Sequence, residues 1–441
     1  MKNIHKNILH IEPTHGLIND PNGLIYDHGK YFVFYQWNRF KLDHSYKEWG
    51  LTTSFDLIHW QSQGSALIPD TIKDKDGVYS GSAIPKDGKI HVFYTGNTKN
   101  NGNRKSYQIH AILEKENTFV KQPQTIETPS GYTEHFRDPF ISKENDHWQM
   151  LVGAQTDNHH GTIAIFTSDD LKKWQYQGKY FENKILDQMC ECPNLVTFKD
   201  KRLLLVCPQK RQINLDQDIS SYSAYYIGKQ ENNRFIPDSK LTKLDEGFDF
   251  YSPQVFQDKS GRKIMLAWMS RMTDTQEEAC PTKQFGYMHC LTLPRELILK
   301  NGKLYQQPLK EYLDASQTRK KIETKEIKFD SNLCFEIFHF NPSNNSKFEI
   351  SLFNDNIQLE YKNKNLTFRR KDWSTSKFNT KTFQINEIYQ IDFYCDRSAI
   401  EIFINNGEKV LSARYFCNEN ERKNIFLSSH NFKFEIKDLK I

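Results

Sequence analysis

Three acidic residues of this chain stand close to prolines at widely separated positions. Asp20 lies in the segment NDPNG, Asp138 in FRDP and Glu191 in CECP, so a proline follows each within two residues. A residue before proline is driven out of helical into extended geometry, and proline itself cannot donate to a sheet ladder. We therefore expect each carboxylate at a strand end or bend, on a stiff backbone. Rigidly held pairs of carboxylates cleave glycosidic bonds, so these residues predict a sugar-cleaving enzyme.

The composition of the 441-residue chain is ordinary for a globular protein of two or three domains, with 37% hydrophobic and 26% charged residues. Aromatic residues are abundant, with 31 Phe, 21 Tyr and 7 Trp, which favours strands and suits sites that stack on sugars. The formal net charge of +5 is too balanced to indicate a nucleic-acid partner. The composition therefore argues against a nucleic-acid partner and is compatible with the small-molecule sugar substrate that the three carboxylates predict.

The ends and the cysteines of the chain predict its environment. The first ten residues contain no apolar stretch of the signal-peptide type, and no window approaches the roughly 18 apolar residues of a membrane span. We expect a cytoplasmic protein with no membrane partner. The eight cysteines show no metal-ligand spacing, so we expect packed, reduced thiols, no metal and no cofactor. Nothing in the sequence predicts the oligomeric state.

One short pattern, a turn followed by a basic or polar residue and an apolar strand, recurs along the N-terminal two-thirds of the chain. Its five copies begin at His28, Asp87, Asn145, Asp200 and Ser260. Successive copies start roughly 55–60 residues apart, as expected of propeller-type arrays. Five units of four strands would close a five-bladed β-propeller, which gathers the inner strands of all its blades around one axis. The three distant carboxylates can meet at that axis.

The pattern changes beyond about residue 315. Segments 348–353, 357–361 and 400–404 alternate apolar and polar residues, as half-buried strands do. We therefore predict an all-β protein with a five-bladed β-propeller at 1–305, a linker with a short helix at 306–318, and a C-terminal antiparallel β-sandwich at 319–441. The sandwich carries no catalytic pattern, and we expect its role to be structural.

At these motifs the chain resembles glycoside hydrolase family 32, which comprises invertases, fructanases and sucrose-6-phosphate hydrolases. The ordered set NDPNG, RDP and ECP is highly specific, although each motif alone is weak. The resemblance implies that Asp20 is the nucleophile, Glu191 the acid/base with a raised pKa, and Asp138 the residue that holds fructose hydroxyls, with Arg137 beside it. Retention would place the two reacting carboxyls about 5–5.5 Å apart. The other residues that the resemblance places at the sugar are Asn19, Gln36, His44, Trp49, Tyr79, Ser80, Arg137, Tyr251 and Trp268. Trp49 and Trp268 have an alternative interpretation as core residues.

The segment around His44 indicates the substrate. His44 stands where many invertases and fructanases have tryptophan, and with Arg39 and Lys47 it looks like the sucrose-6-phosphate hydrolase branch. A phosphate on glucose O6 requires charged donors, which these three side chains could supply. We expect cleavage of sucrose 6-phosphate and of sucrose. The alternatives are a cytoplasmic invertase, a short-fructan hydrolase or fructosyltransferase, and a sugar-binding propeller without catalysis.

Overall fold

The computed structural model describes residues 2–115, 118–210, 221–331, 335–343 and 347–440. The chain forms two compact units. The propeller unit comprises 13–244 and 251–268, and the C-terminal unit comprises 1–12, 245–250 and 269–441. None of the helices among the described residues could cross a membrane.

The propeller unit contains four blades, each built on four antiparallel strands that follow chain order. The first two blades are β1 (Gly16–Asp27), β2 (Lys30–Asn38), β3 (Glu48–Ser54), β4 (Gln61–Leu67), β5 (Val78–Lys86), β6 (Lys89–Asn100), β7 (Asn103–Lys115) and β8 (Thr118–Glu127). The next two are β9 (Tyr132–Glu144), β10 (His147–Thr156), β11 (Gly161–Ser168), β12 (Gln175–Glu182), β13 (Met189–Thr197), β14 (Arg202–Gln209), β15 (Ala224–Glu231) and β16 (Arg234–Pro237), with the short β17 (Thr242–Lys243) paired to β15.

A fifth four-stranded sheet completes the five-bladed propeller, and the predicted all-β architecture is confirmed. Its strands are β18 (Phe250–Gln257), β19 (Lys263–Met269), β21 (Arg295–Lys300) and β22 (Lys303–Pro308), and the two-residue β20 (Tyr287–Met288) lies between β19 and β21 in sequence. The short helices are α1 (Asp274–Glu278), α2 (Lys310–Asp314), α3 (Glu419–Lys423) and the 3-10 turns Lys184–Leu186 and Pro281–Phe285.

The strands of the C-terminal β-sandwich are joined by hydrogen bonds into one continuous antiparallel sheet, with ten strands among the described residues. They are β23 (Ser316–Asp330), β24 (Glu336–Pro342), β25 (Phe348–Leu352), β26 (Ile357–Lys362), β27 (Asn365–Lys371), β28 (Phe378–Gln384), β29 (Ile391–Cys395), β30 (Ala399–Ile404), β31 (Lys409–Arg414) and β32 (Asn424–Leu439). Alternating side chains of β25 and β26 enter its core, as the sequence pattern predicts.

The five repeats of the sequence are the second strands of the five blades, β2, β6, β10, β14 and β19. Each second strand lies between the first and third strands of its own blade, and its faces pack against neighbouring blades. Leu203–Val206 of β14 are accordingly all fully buried. This two-sided burial explains why the repeats are continuous apolar runs rather than alternating ones. The first strands are then left innermost, where they carry the chemistry.

A buried histidine in the C-terminal unit joins two carboxylates. Nδ1 of His10 lies 3.0 Å from Oδ2 of Asp396, and Nε2 lies 3.2 Å from Oε1 of Glu401. Burial by itself would lower the pKa of His10, but the hydrogen bonds and charges of the two carboxylates outweigh it and raise this pKa to about 9. The imidazolium therefore neutralises part of the buried negative charge of these two carboxylates.

We expect His10→Leu to lower the free energy of unfolding at pH 6 by about 3–5 kcal/mol, because removing His10 leaves the buried charge of Asp396 without its ionised partner. The folded pKa of His10 lies above its ordinary value of 6.5, so this stability is complete below pH 6.5 and is lost as the pH rises through about 9. Urea unfolding from pH 6 to 10 should show the two proteins converging. His430→Leu, at an exposed histidine of the same unit, is the control. Parallel curves would contradict the prediction.

Candidate active site

The first strands of the five blades bring the predicted catalytic residues together. Asp20 lies on β1, Ser80 on β5, Asp138 on β9, Glu191 on β13 and Tyr251 on β18. The first strands of blades one to four contact their neighbours in turn. Residues separated by 50 or more positions in the chain therefore share one site, as the propeller architecture predicts.

Each of the functional positions on the first four blades lies at a β-bulge. The pairing register of these strands shifts between Ile18 and Pro21, Val78 and Gly81, Arg137 and Phe140, and Glu191 and Asn194. A proline stands at or next to three of these bulges because its nitrogen cannot continue the ladder. A bulge bends the strand and redirects a side chain, and bulges are frequent beside active sites. The prediction that the carboxylates lie at bends is thus supported.

The residue before proline is strained in three of the blades. Asp138, Cys192 and Ser252 have φ angles of 68°, 47° and 52°, in the left-handed region. The extended geometry predicted for Asp138 is therefore wrong. The N–H of Asp138 donates to Oγ1 of Thr95 at 2.9 Å, and its Oδ2 accepts from the N–H of Cys192 at 3.1 Å. These bonds to the two adjacent blades hold a conformation that costs on the order of 1–3 kcal/mol.

Asp20 is held by hydroxyl groups. Oγ of Ser80 donates to Oδ2 of Asp20 at 2.8 Å, and Nε2 of Gln36 donates to Oγ of Ser80 at the same distance. Ser252 makes a further hydrogen bond to Asp20. Burial raises the pKa of Asp20, while the charge of Lys47 and the bond from Ser80 act in the opposite direction. The carboxylate is thus fixed in orientation.

Glu191 is bound by a charged and a neutral donor. Nε and Nη2 of Arg137 donate to Oε1 at 3.0 and 2.6 Å, and the hydroxyl of Tyr251 donates to Oε2 at 2.5 Å. The same guanidinium stands farther from Asp138, with 4.0 Å between Nε and Oδ2. Arg137 therefore pairs chiefly with the predicted acid/base rather than with its neighbour in sequence.

The pKa of Glu191 is shifted in the opposite direction from the one expected. Burial by itself would raise the pKa of Glu191, but the charge of Arg137 and the hydrogen bonds of Tyr251 and Arg137 outweigh it and hold this pKa below its usual value. The predicted raised pKa is therefore wrong for the unliganded site. Burial raises the pKa of Asp138 to about 7, with further contributions from the charges of Glu191 and Asp20. In the unliganded site Asp138 therefore holds a proton more readily than Glu191 does.

Several predicted sugar contacts lie around Asn19. Its Oδ1 lies 3.2 Å from Nδ1 of His44 and accepts from Nζ of Lys47 at 3.2 Å. The imidazole of His44 and the ammonium group of Lys47 thus lie beside Asn19, the sequence neighbour of Asp20. Arg39 pairs with a different residue, since its Nε lies 3.3 Å from Oε2 of the fully buried Glu48. Its side chain is 36% exposed.

Trp49 and Trp268 are both buried, as their interpretation as core residues predicts. Trp49 is fully buried, and its indole N–H donates to the carbonyl of Tyr79 at 3.0 Å, so it supports Tyr79 from behind. Trp268 is 4% exposed and packs with Tyr251, Cys192 and Cys207, while the ring of His44 meets it edge-on at 6.2 Å. The Tyr79 ring remains partly accessible. Trp49 therefore has no direct path to a sugar, and the prediction of direct contact for it is wrong.

Sequence reasoning missed three residues of the site. Ser252 binds Asp20, Gln209 makes a hydrogen bond to Glu191, and Nδ1 of His135 lies 3.2 Å from Nη1 of Arg137. Ser252 had a signal, because its Ser-Pro pair occupies the same place in blade five as Asp138-Pro139 in blade three. The other two are ordinary polar residues in sequence. Gln209 reaches Glu191 from β14, and His135 contacts Arg137 on its own strand.

The cysteines next to Glu191 are packed thiols. Cys190 and Cys192 are both buried. Burial raises the pKa of the Cys190 thiol well above the usual range. A hydrogen bond with Cys207, together with burial, does the same for the Cys192 thiol. A thiol that resists ionisation is a poor nucleophile. The seven cysteines among the described residues are all free and buried.

Two family models match the chain and together span nearly all of it. The Glycosyl hydrolases family 32 N-terminal domain matches residues 10–308, and the Glycosyl hydrolases family 32 C terminal matches residues 303–441. The chain belongs to glycoside hydrolase family 32. It is therefore a glycoside hydrolase, and the resemblance drawn from its three acidic motifs is confirmed.

Named relatives of this family 32 enzyme match it over most of both chains. It is 37% identical over 427 residues to the sucrose-6-phosphate hydrolase of Bacillus subtilis (strain 168), covering 93% of this chain and 89% of the relative. The sucrose-6-phosphate hydrolase of Klebsiella pneumoniae is 34% identical over 423 residues, with coverages of 92% and 88%. The solved structure of sucrose-6-phosphate hydrolase from Lactobacillus gasseri superposes with a TM-score of 0.88 at 29% identity, covering 99% of this chain and 94% of that one.

Proposed function

We propose that this family 32 enzyme hydrolyses the β-fructofuranosyl bond of sucrose 6-phosphate with retention, giving fructose and glucose 6-phosphate. The observation that carries the proposal is the carboxyl cluster. In it, Ser80 holds Asp20 and Arg137 holds Glu191 by hydrogen bonds. The charges of these two carboxylates contribute to raising the pKa of Asp138. The names of the relatives matched over 93% and 92% of the chain support the phosphorylated substrate.

In the first half-reaction a carboxylate oxygen of Asp20 forms a bond to C2 of the fructosyl unit. The bond from C2 to the glucosyl oxygen breaks, and Glu191 gives that oxygen its proton. The product of this step is a covalent fructosyl-enzyme, as in other retaining glycosidases. For this step the proton that the unliganded cluster holds more readily on Asp138 must stand on Glu191. Asp138 is then a carboxylate that accepts hydrogen bonds from fructose hydroxyls, and its charge stabilises the oxocarbenium-like transition state.

In the second half-reaction water replaces glucose 6-phosphate. Glu191, now a carboxylate, removes a proton from this water, whose oxygen bonds to C2 while the bond to Asp20 breaks. Fructose leaves, and Glu191 again holds a proton. The cluster must therefore contain one ionised and one protonated carboxyl at the start of each cycle. Because the three carboxyls are coupled, they lose their protons as a group, and the basic limb of the pH–rate profile reports the last of them.

The test of the substrate is kcat/KM of the purified enzyme on sucrose and on sucrose 6-phosphate, measured side by side. A strong preference for the phosphorylated sugar supports the proposal. Equal or reversed preference would instead indicate an invertase or short-fructan hydrolase with the same chemistry. Absence of hydrolysis of either sugar would reject the proposed reaction.

Arg39 is the residue through which we expect the phosphate to be recognised. Its Nε faces Glu48, while the remaining donors of the planar guanidinium suit a phosphate. Arg39→Lys should lower kcat/KM on sucrose 6-phosphate by about 10–100-fold, the loss expected for a charge-assisted bond of about 1.5–3 kcal/mol, and leave sucrose nearly unchanged. Lysine keeps a cation beside buried Glu48, so the fold is preserved.

The control for Arg39→Lys is Lys41→Ala, at an exposed cation two residues away. Lys47→Ala is a second comparison. Because Lys47 contacts Asn19 and acts on the charge of Asp20, part of its effect should fall on both substrates. A similar loss on sucrose and on sucrose 6-phosphate for Arg39→Lys would show that Arg39 does not contact the phosphate.

A further inference from the structure

The guanidinium of Arg137 is held on two sides. Its Nε and Nη2 donate to Oε1 of Glu191, while its Nη1 lies 3.2 Å from Nδ1 of His135. A guanidinium carries donors only, so Nδ1 of His135 must present its lone pair. The contact therefore requires a neutral imidazole with its proton on Nε2.

The strand geometry explains why these two side chains meet. His135 and Arg137 are two residues apart on β9 and so project from the same face. The side chain of Arg137 is 11% exposed, whereas that of His135 is 37% exposed. The N–H of His135 donates to Oγ1 of Thr133 at 3.2 Å, which fixes its backbone. His135 thus covers the outer end of a nearly buried cation.

The charged groups that face His135 come from three strands. Arg137 and Glu134 share β9 with it, Arg104 acts from β7 and Glu191 from β13. Oε1 of Glu134 lies 3.8 Å from Nε2, the nitrogen that carries the proton. Burial and the charge of Arg137 lower the pKa of His135, which keeps the imidazole neutral and able to accept.

We propose that His135 is a positioning residue that fixes Arg137 in the orientation presenting two donors to Glu191, and thereby sets the upper pH limit of the reaction. Without an acceptor for Nη1, the guanidinium can turn and share its donors with water or with Asp138. Glu191 then loses stabilisation of its charged form and holds its proton to higher pH. The inference rests on the proposed function for the role of Glu191, but the orientation of Arg137 can be observed without it.

The experiment compares His135→Leu with His135→Asn. Leucine removes the acceptor, whereas the side-chain oxygen of asparagine can replace Nδ1. For His135→Leu we expect the basic limb of kcat on sucrose 6-phosphate, which reports the enzyme–substrate complex in which Glu191 holds the proton, to move up by roughly 0.5–1 pH unit. This shift corresponds to the loss of one ordinary hydrogen bond. His135→Asn should keep most of the wild-type limb. His160→Leu, at an exposed histidine of the same unit, is the control.

A His135→Leu profile with a lower rate but an unchanged limb would overturn the proposal, because a purely structural role lowers the rate at every pH. So would an asparagine variant that behaves like the leucine variant. The crystal structure of His135→Leu gives a second readout. A rotated Arg137 supports the proposal, and an Arg137 that keeps both bonds to Glu191 refutes it. If the wild type cleaves no β-fructoside, the proposed function fails while this structural test still decides the role of His135.

Discussion

Asp20→Ala is expected to fold normally and to lose nearly all turnover. The covalent route requires a carboxylate at C2, and removing a catalytic nucleophile costs on the order of 10⁶ in kcat. Asp20→Asn keeps the shape of the side chain and an oxygen that can accept from Ser80, yet it should be equally inactive. Steady-state hydrolysis of sucrose and of sucrose 6-phosphate measures the loss.

The stability of the Asp20 variants provides an independent check. Burial raises the pKa of Asp20, so its ionised form is disfavoured in the folded state and costs stability at pH values above that pKa. Asp20→Asn should therefore show an unchanged or higher Tm at pH 7. Asp27→Asn, on the same strand but paired with the exposed His28, should retain full activity. Substantial turnover by a folded Asp20→Ala protein would show that Asp20 is not the nucleophile.

Glu191→Gln is expected to separate the two half-reactions. Loss of a general acid lowers the rate by about 10²–10⁴ when the leaving group needs a proton. A fructosyl fluoride needs none, because fluoride leaves unprotonated. The variant should thus lose cleavage of sucrose 6-phosphate and still release the first equivalent of fluoride at a rate close to that of the wild type.

The second half-reaction of Glu191→Gln should then become limiting, because no base activates water. Azide, which requires no deprotonation, should restore turnover of the fluoride and form a β-fructosyl azide. Glu182→Gln, at an exposed position of the same unit, should change neither rate. Equal loss on both substrates, without rescue by azide, would show that Glu191 does not act as the acid/base.

The sequence alone was sufficient for the fold and for the three carboxyls. Five apolar runs at a regular period predict blades because each run must be buried on both faces, and the observed second strands coincide with them. The prolines near Asp20, Asp138 and Glu191 interrupt the sheet ladder, and the observed bulges lie there. Both are local effects of residue type, so they are visible without the tertiary structure.

The partners and acidities of these carboxyls were decided by the tertiary structure. Arg137 is the sequence neighbour of Asp138, yet its two short bonds go to Glu191 on the next blade. That through-space contact is what lowers the pKa of Glu191, while burial raises that of Asp138. Desolvation and the charges of distant strands determine such shifts, and neither is encoded in the spacing of residues along the chain.

The same distinction separates the remaining residues of the site. The role of Trp49 depends on whether its ring reaches open space, and the packing of the first blade buries it completely. His135 has an unremarkable sequence context, and it acquires a specific position only because Arg137 is turned toward Glu191. Residue types and periodicity thus determined which strands form and which carboxyls lie on them. The packing of blades around one axis decided which groups touch, because only that packing brings residues from separate strands within hydrogen-bonding distance.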